Sequence, residues 1–144
     1  MREKTGDVTW SVHLSKPPAR VFQYLSTDEG RVQFWAESAI EENGTIMFEF
    51  SSGETLDADI LATDPPEEFA LNYFGSPAIF NLSEDGDGGT ILTLTHKEID
   101  NDDRCVMMAG WVSVLLTLKA TVNHSVDLRN HNPKLTWENS FVGN

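Results

Sequence analysis

The sequence predicts an α+β fold in which one curved antiparallel β-sheet wraps a single long C-terminal helix. Three observations predict it. Cys105 to Val122 is the longest apolar segment, and Met108, Trp111, Leu115, Leu118 and Val122 recur within it at intervals of three and four, the spacing of one helical face. Residues 38–97 alternate apolar and polar positions between turn-forming residues, which reads as about six strands in an antiparallel meander. Before them stand one strand and two short helical segments, a compact corner rather than a parallel crossover. The 144 residues fit one domain, a size that buries roughly 70% of its unfolded surface.

The elements follow in order. Val8, Trp10, Val12 and Leu14 alternate with Thr9, Ser11 and His13, a half-buried strand that places His13 on its polar face. Ser15 precedes Lys16-Pro17-Pro18, and prolines suit a first helical turn; Val21, Phe22 and Leu25 then sit at helical spacing. Ser26-Thr27-Asp28-Glu29 reads as a capping box, with Ser26 as cap, opening a second short helix that ends near Trp35. Asn43-Gly44, between Ala39-Ile40 and Ile46, Phe48, Phe50, signals a two-residue hairpin turn. Ser52-Gly53 turns into Leu56, Ala58, Ile60 and Ala62, and Asp64-Pro65-Pro66-Glu67 breaks that strand. Phe69, Leu71 and Tyr73 resume the alternation, Gly75-Ser76-Pro77 leads to Ala78, Phe80 and Leu82, and the acidic loop Glu84 to Gly89 feeds Thr90 to Lys97. The long helix, whose apolar stripe Val112 widens, is expected to run on toward Leu128 before Asn132-Pro133. We read 1–144 as a single domain with a core over 7–130. The tail 131–144 carries Trp137, Phe141 and Val142, and is too apolar for a free end. It is expected to dock on the body or on a second subunit, so a homodimer stays open.

Composition excludes several classes of function. Ten Lys+Arg against 23 Asp+Glu give a net charge of −13, which repels phosphate backbones and anionic lipid, so no nucleic-acid partner is expected. The uncharged run from Met107 to Leu118 falls short of the ~20 apolar residues a bilayer needs, so no membrane insertion is expected. Cys105 is the only cysteine, and with no second one there is no intrachain disulfide. It reads as a buried, inert thiol. The charged start MREKTGDVTW has no signal-peptide core, which points to the cytoplasm.

The acidic loops fail as calcium sites: counted from Asp85 the sixth position is Thr90 and the twelfth His96, and counted from Asp100 the sixth is Cys105. His124, Asp127 and His131 would share a face if the helix ran that far, but they read better as polar helix-end residues than as metal ligands. Asp57 and Asp59 share a strand face directed at water. There is no Gly-x-Ser-x-Gly elbow and no phosphate-cradling glycine loop. We therefore assign no catalytic residue, no metal and no cofactor.

What stands out is aromatic excess on the concave side: Phe48, Phe50, Phe69, Tyr73, Phe80, Trp111 and Trp35. A single curved sheet on one helix tends to leave a cavity, and ligand cavities are lined by such residues with few polar ones. Tyr73 and His96 are the polar groups placed to reach it, although for His96 a satisfied structural role is the better reading.

Four segments carry a family resemblance: LSKPPARVFQYLSTDEGRVQFW, PPEEFALNYFG, GGTILTLTHKEID and GWVSVLLTLKATVNHSVDLR. In this order they resemble the START/Bet v 1-like (SRPBCC) superfamily, and within it the group similar to the activator of the heat-shock protein 90 ATPase. The resemblance covers roughly Asp7 to Arg129. It implies the helix-grip fold and a cavity between sheet and C-terminal helix. By this resemblance Met108, Trp111 and Leu115 would form the helix wall, and Phe48, Ile60, Tyr73 and Phe80 the sheet wall; the reading of the residues adds Trp35 and His96 as ligand-binding candidates. The resemblance also implies a function among small-molecule carriers, polyketide cyclases and stress-related or co-chaperone proteins. Our expectation is a protein that binds a small apolar or aromatic molecule. The alternatives are a cyclase- or hydrolase-type enzyme polarising a carbonyl with Tyr73 or His96, and a co-chaperone-like interaction module.

Overall fold

The computed structural model describes residues 5–143, so the charged start Met1–Lys4 and the last tail residue, Asn144, lie outside the described residues. Seven antiparallel strands form one sheet in the order β1-β7-β6-β5-β4-β3-β2. They are β1 (Thr5–Leu14), β2 (Ser38–Glu42), β3 (Thr45–Glu49), β4 (Thr55–Asp64), β5 (Glu68–Tyr73), β6 (Ser76–Glu84) and β7 (Thr90–Asp100). Two short helices, α1 (Pro18–Ser26) and α2 (Asp28–Arg31), follow β1, and α3 (Arg104–His124) follows β7. This is the helix-grip arrangement. The sheet curves where the β1–β7 register slips between Gly6 and Val8 and the β4–β5 register slips between Ile60 and Ala62, since an extra residue in one strand bends it.

Local chemistry explains most joints. Asn43 and Gly44 both adopt positive φ, 53° and 84°, the type I′ geometry whose twist matches the flanking strands. Phe74 and Gly75 do the same between β5 and β6, so that turn sits one residue earlier than the sequence suggests. Thr27, not Ser26, caps α2: its hydroxyl accepts from the Gly30 amide at 3.0 Å. Ser15 caps nothing; its amide and hydroxyl donate to Asn123 Oδ1 on α3 at 2.8 and 3.0 Å, tying the end of β1 to the long helix.

Arg31, fully buried, is a residue the sequence did not single out. Its guanidinium donates to the Ala39 and Leu25 carbonyls, each at 3.1 Å, and pairs with Asp28. One cation thereby joins α1, α2 and β2, and holds the turn that delivers Phe34 and Trp35 to the interior.

The long helix packs on β1 and β7 with Trp111, Leu115, Leu118 and Val122 buried. It is long and apolar enough to cross a membrane by composition, but this packing makes it the core helix of a soluble fold. It ends at His124, earlier than expected, because Ser125 turns into the left-handed region at φ 56°. Val112 does not widen the buried stripe: it is exposed, together with Val106 and Leu116 on the opposite flank. Cys105 is exposed as well, because it sits two turns before Val112 on the same outward flank of α3.

Candidate functional site

The centre of the molecule is an aromatic cluster. Trp35 meets Phe48, Tyr73, Phe80 and Trp111 with ring centroids 5.0 to 6.1 Å apart, and Tyr73 stands 5.0 Å from Trp111 and 5.9 Å from His96. Buried polar atoms in this cluster pair with one another. Trp111 Nε1 donates to His96 Nδ1 at 2.9 Å, and His96 Nε2 lies 2.8 Å from the Tyr73 carbonyl, to which it must donate. The imidazole is therefore the neutral Nε2–H tautomer, and burial lowers its pKa, keeping it so. Trp35 Nε1 donates to the Tyr73 hydroxyl at 3.2 Å. Burial raises the pKa of that phenol, so it stays protonated.

A cavity of about 790 Å³ opens beside this cluster. Trp35, Tyr73 and Trp111 form its floor, Phe50, Ser52 and Glu54 of the β3–β4 turn one side, and Phe74 the next. The outward flank of α3, with Met107, Gly110 and Val114, forms another wall, and Leu128, with Trp137 and Phe141 of the tail, closes the last. Of the nine residues expected to bind ligand, Trp35, Tyr73 and Trp111 line this cavity. Phe48, Phe80, Leu115 and His96 are instead buried in the packed core, and Ile60 and Met108 pack against it. The reason is volume. The aromatic side chains fill the space between sheet and helix at contact distance, and the opening is displaced toward the tail.

The tail has a fastening that periodicity does not reveal. Arg129 pairs with Asp127 at 2.9 Å and donates to the Ala36 carbonyl at 2.9 Å and the Val32 carbonyl at 2.6 Å. His131 bridges Glu37 and Asp127, at 2.6 Å on each ring nitrogen. Burial disfavours ionised Asp127, but hydrogen bonds from Arg129 and His131 outweigh it and hold the carboxyl at about 2. Trp137 lies over Gly110, where a Cβ would stand 3.2 Å from its ring. Glycine is what lets the indole seat on the helix.

Other candidate sites resolve as structural. Asp85 accepts from His13 at 2.6 Å and from the Asp87 and Gly89 amides, which hold its carboxyl at about 2 and fix the loop. Asp57 and Asp59 are exposed, and Asp59 accepts from Thr45. His124, Asp127 and His131 do not gather on one helical face, because α3 stops at His124. Among the described residues no group of three or more His, Cys, Asp or Glu is placed to hold a metal ion.

A helix-grip fold with an aromatic-floored cavity defines an architecture and not a reaction. The family model of activator of Hsp90 ATPase homolog 1-like proteins matches residues 15–123, and the chain belongs to that family. A search of curated proteins finds no match. Among solved structures, a Staphylococcus saprophyticus protein, SSP2350, is similar at 26% identity and TM-score 0.75, over 85% of this chain and 96% of its own. The Aha1 dimer from Colwellia psychrerythraea is similar at 20% identity and TM-score 0.73, over 82% of this chain and 96% of its own. DynU16, a protein of the dynemicin biosynthetic locus, shares the fold at 14% identity and TM-score 0.72, over 85% of this chain and 49% of its own.

Proposed function

We propose that this protein binds a small, neutral, apolar or aromatic molecule in the cavity between the aromatic floor, the outward flank of α3 and the C-terminal tail. The observation that carries this reading is the cavity itself. Its volume, about 790 Å³, falls within the range of drug-sized ligand sites, and its walls are mainly aromatic and aliphatic. The family supports it, and the fold is shared with DynU16, a protein of the dynemicin biosynthetic locus. An exposed apolar patch with no cavity would be evidence for an interaction module of co-chaperone type, and here a cavity is present. His96 offers no group for carbonyl chemistry, since both its nitrogens are occupied.

A second reading concerns assembly. Val106, Val112 and Leu116 leave an apolar strip on α3 beside the cavity mouth, and the Colwellia relative is a dimer. A second copy covering that strip would complete the outer wall. Native mass spectrometry of protein purified gently from its own host tests both readings. We expect a stoichiometric apolar compound released on denaturation, and the same spectrum reads the subunit count. A clean apo mass, with no stabilisation across neutral aromatic compounds, would sink the binding reading.

A further inference from the structure

Resting on that reading, we infer that the Tyr73 hydroxyl is the recognition group of the cavity and donates its proton to a ligand oxygen, which makes the ligand an aromatic or apolar molecule bearing a carbonyl-type acceptor. Buried polar atoms in native folds find hydrogen-bond partners. In the cluster, Trp35 Nε1, Trp111 Nε1 and both nitrogens of His96 have partners. Tyr73 is only 6% exposed, and its oxygen accepts from Trp35, yet its own O–H donates to no acceptor among the described residues. A phenol has one donor and needs an acceptor when buried.

Geometry says where that acceptor must come from. The ring is enclosed by Trp35, Phe48, Phe74, His96 and Trp111, none of which offers a free lone pair to it. The residue lines the cavity, so the open direction is the cavity itself. Because the phenol stays neutral, it acts as a fixed donor and not as an anion. The Trp35 indole donating to the same oxygen polarises the O–H and strengthens it as a donor. Glu54, on the cavity wall, acts against an anionic acceptor, so a neutral carbonyl, rather than a carboxylate, is the group that fits.

A matched pair of probes isolates this hydrogen bond. Benzophenone and diphenylmethane carry the same two rings and differ in a carbonyl against a methylene. Their affinities are read by displacement of Nile red from the full-length protein. We expect benzophenone to bind about threefold to tenfold tighter than diphenylmethane, the range one net hydrogen bond gives. In Tyr73→Phe that preference should vanish, the ratio of the two affinities falling to about one. The ¹³C resonance of labelled benzophenone should move downfield on binding wild type and not on binding the variant. Equal affinity of the two probes for wild type, with both binding, overturns the inference and leaves the cavity: a water then satisfies the phenol. Failure of Nile red and both probes to bind overturns the cavity reading itself, and the inference with it. Should Tyr73→Phe fold poorly, the wild-type probe ratio and the carbonyl shift decide alone.

Discussion

His96 illustrates how a titratable residue inside an apolar cluster becomes structural. With Nδ1 accepting from Trp111 and Nε2 donating to the Tyr73 carbonyl, it fixes the end of β5 against α3. In His96→Leu the Trp111 N–H and the Tyr73 carbonyl lose their partner while remaining buried. Each unpaired group costs about 1–3 kcal/mol, so we expect a loss of about 2–4 kcal/mol with partial compensation. Urea unfolding with an unchanged m-value measures it, and a loss below about 1 kcal/mol would show that water replaces the ring. The same residue contributes to pH dependence. Burial depresses its folded pKa, so its contribution is complete above the ordinary value of about 6.5 and is lost as pH falls from there through the lowered folded value.

At the scale of elements, the tail is the part whose attachment depends most on ionisation. Hydrogen bonds donated to Glu37 and then to Asp127 raise the pKa of His131, and both carboxylates face the ring, with Arg129 beside Asp127. Only imidazolium has two N–H groups, so only the protonated ring can donate to both partners. A raised folded pKa means the fastening is complete below about 6.5 and weakens as pH rises through the raised value. Asp127, held at about 2, stays ionised throughout. We therefore expect the indole N–H resonance of Trp137 to shift and broaden between pH 6 and pH 9, and His131→Gln to abolish that dependence. A Trp137 signal that is identical at both ends would mean the apolar contacts alone hold the tail. This is also where the sequence was least legible. Strand alternation and the Asn43-Gly44 turn are local signals, and they predicted six strands between the short helices and α3. The capping box was misplaced by one residue because Ser26 and Thr27 are both good caps. The end of α3 carries no glycine, so Ser125 gave no warning. The cavity depends on how Phe48, Phe80 and Leu115 fill volume, and on Trp137 and Phe141 folding back from an irregular segment. Neither has a period to read. Tyr73 was legible as a buried phenol in need of a partner; its pairing with Trp35, 38 residues away, was not.

At the scale of the whole molecule, charge selects among ligands that the cavity would otherwise accept alike. The chain carries a net charge of −13, and Glu37 and Glu54 stand on the cavity wall. Arg129 is the one cationic side chain among the described lining residues, and its guanidinium is already committed to Asp127 and to the carbonyls of Ala36 and Val32. A carboxylate on the ligand would meet a repulsive field and find no available cation, so burying it would go uncompensated. Benzophenone-4-carboxylate, which keeps the rings and the carbonyl, should bind more weakly than benzophenone at low salt. The repulsive part of that gap is long-ranged, and screening shortens from about 30 Å at 0.01 M salt to about 3 Å at 1 M. The gap should therefore narrow as salt rises, while benzophenone itself changes little. A gap independent of salt would assign the discrimination to desolvation at the site alone, and a carboxylate binding as tightly as the ketone at 0.01 M salt would show that the acidic surface plays no part in selection.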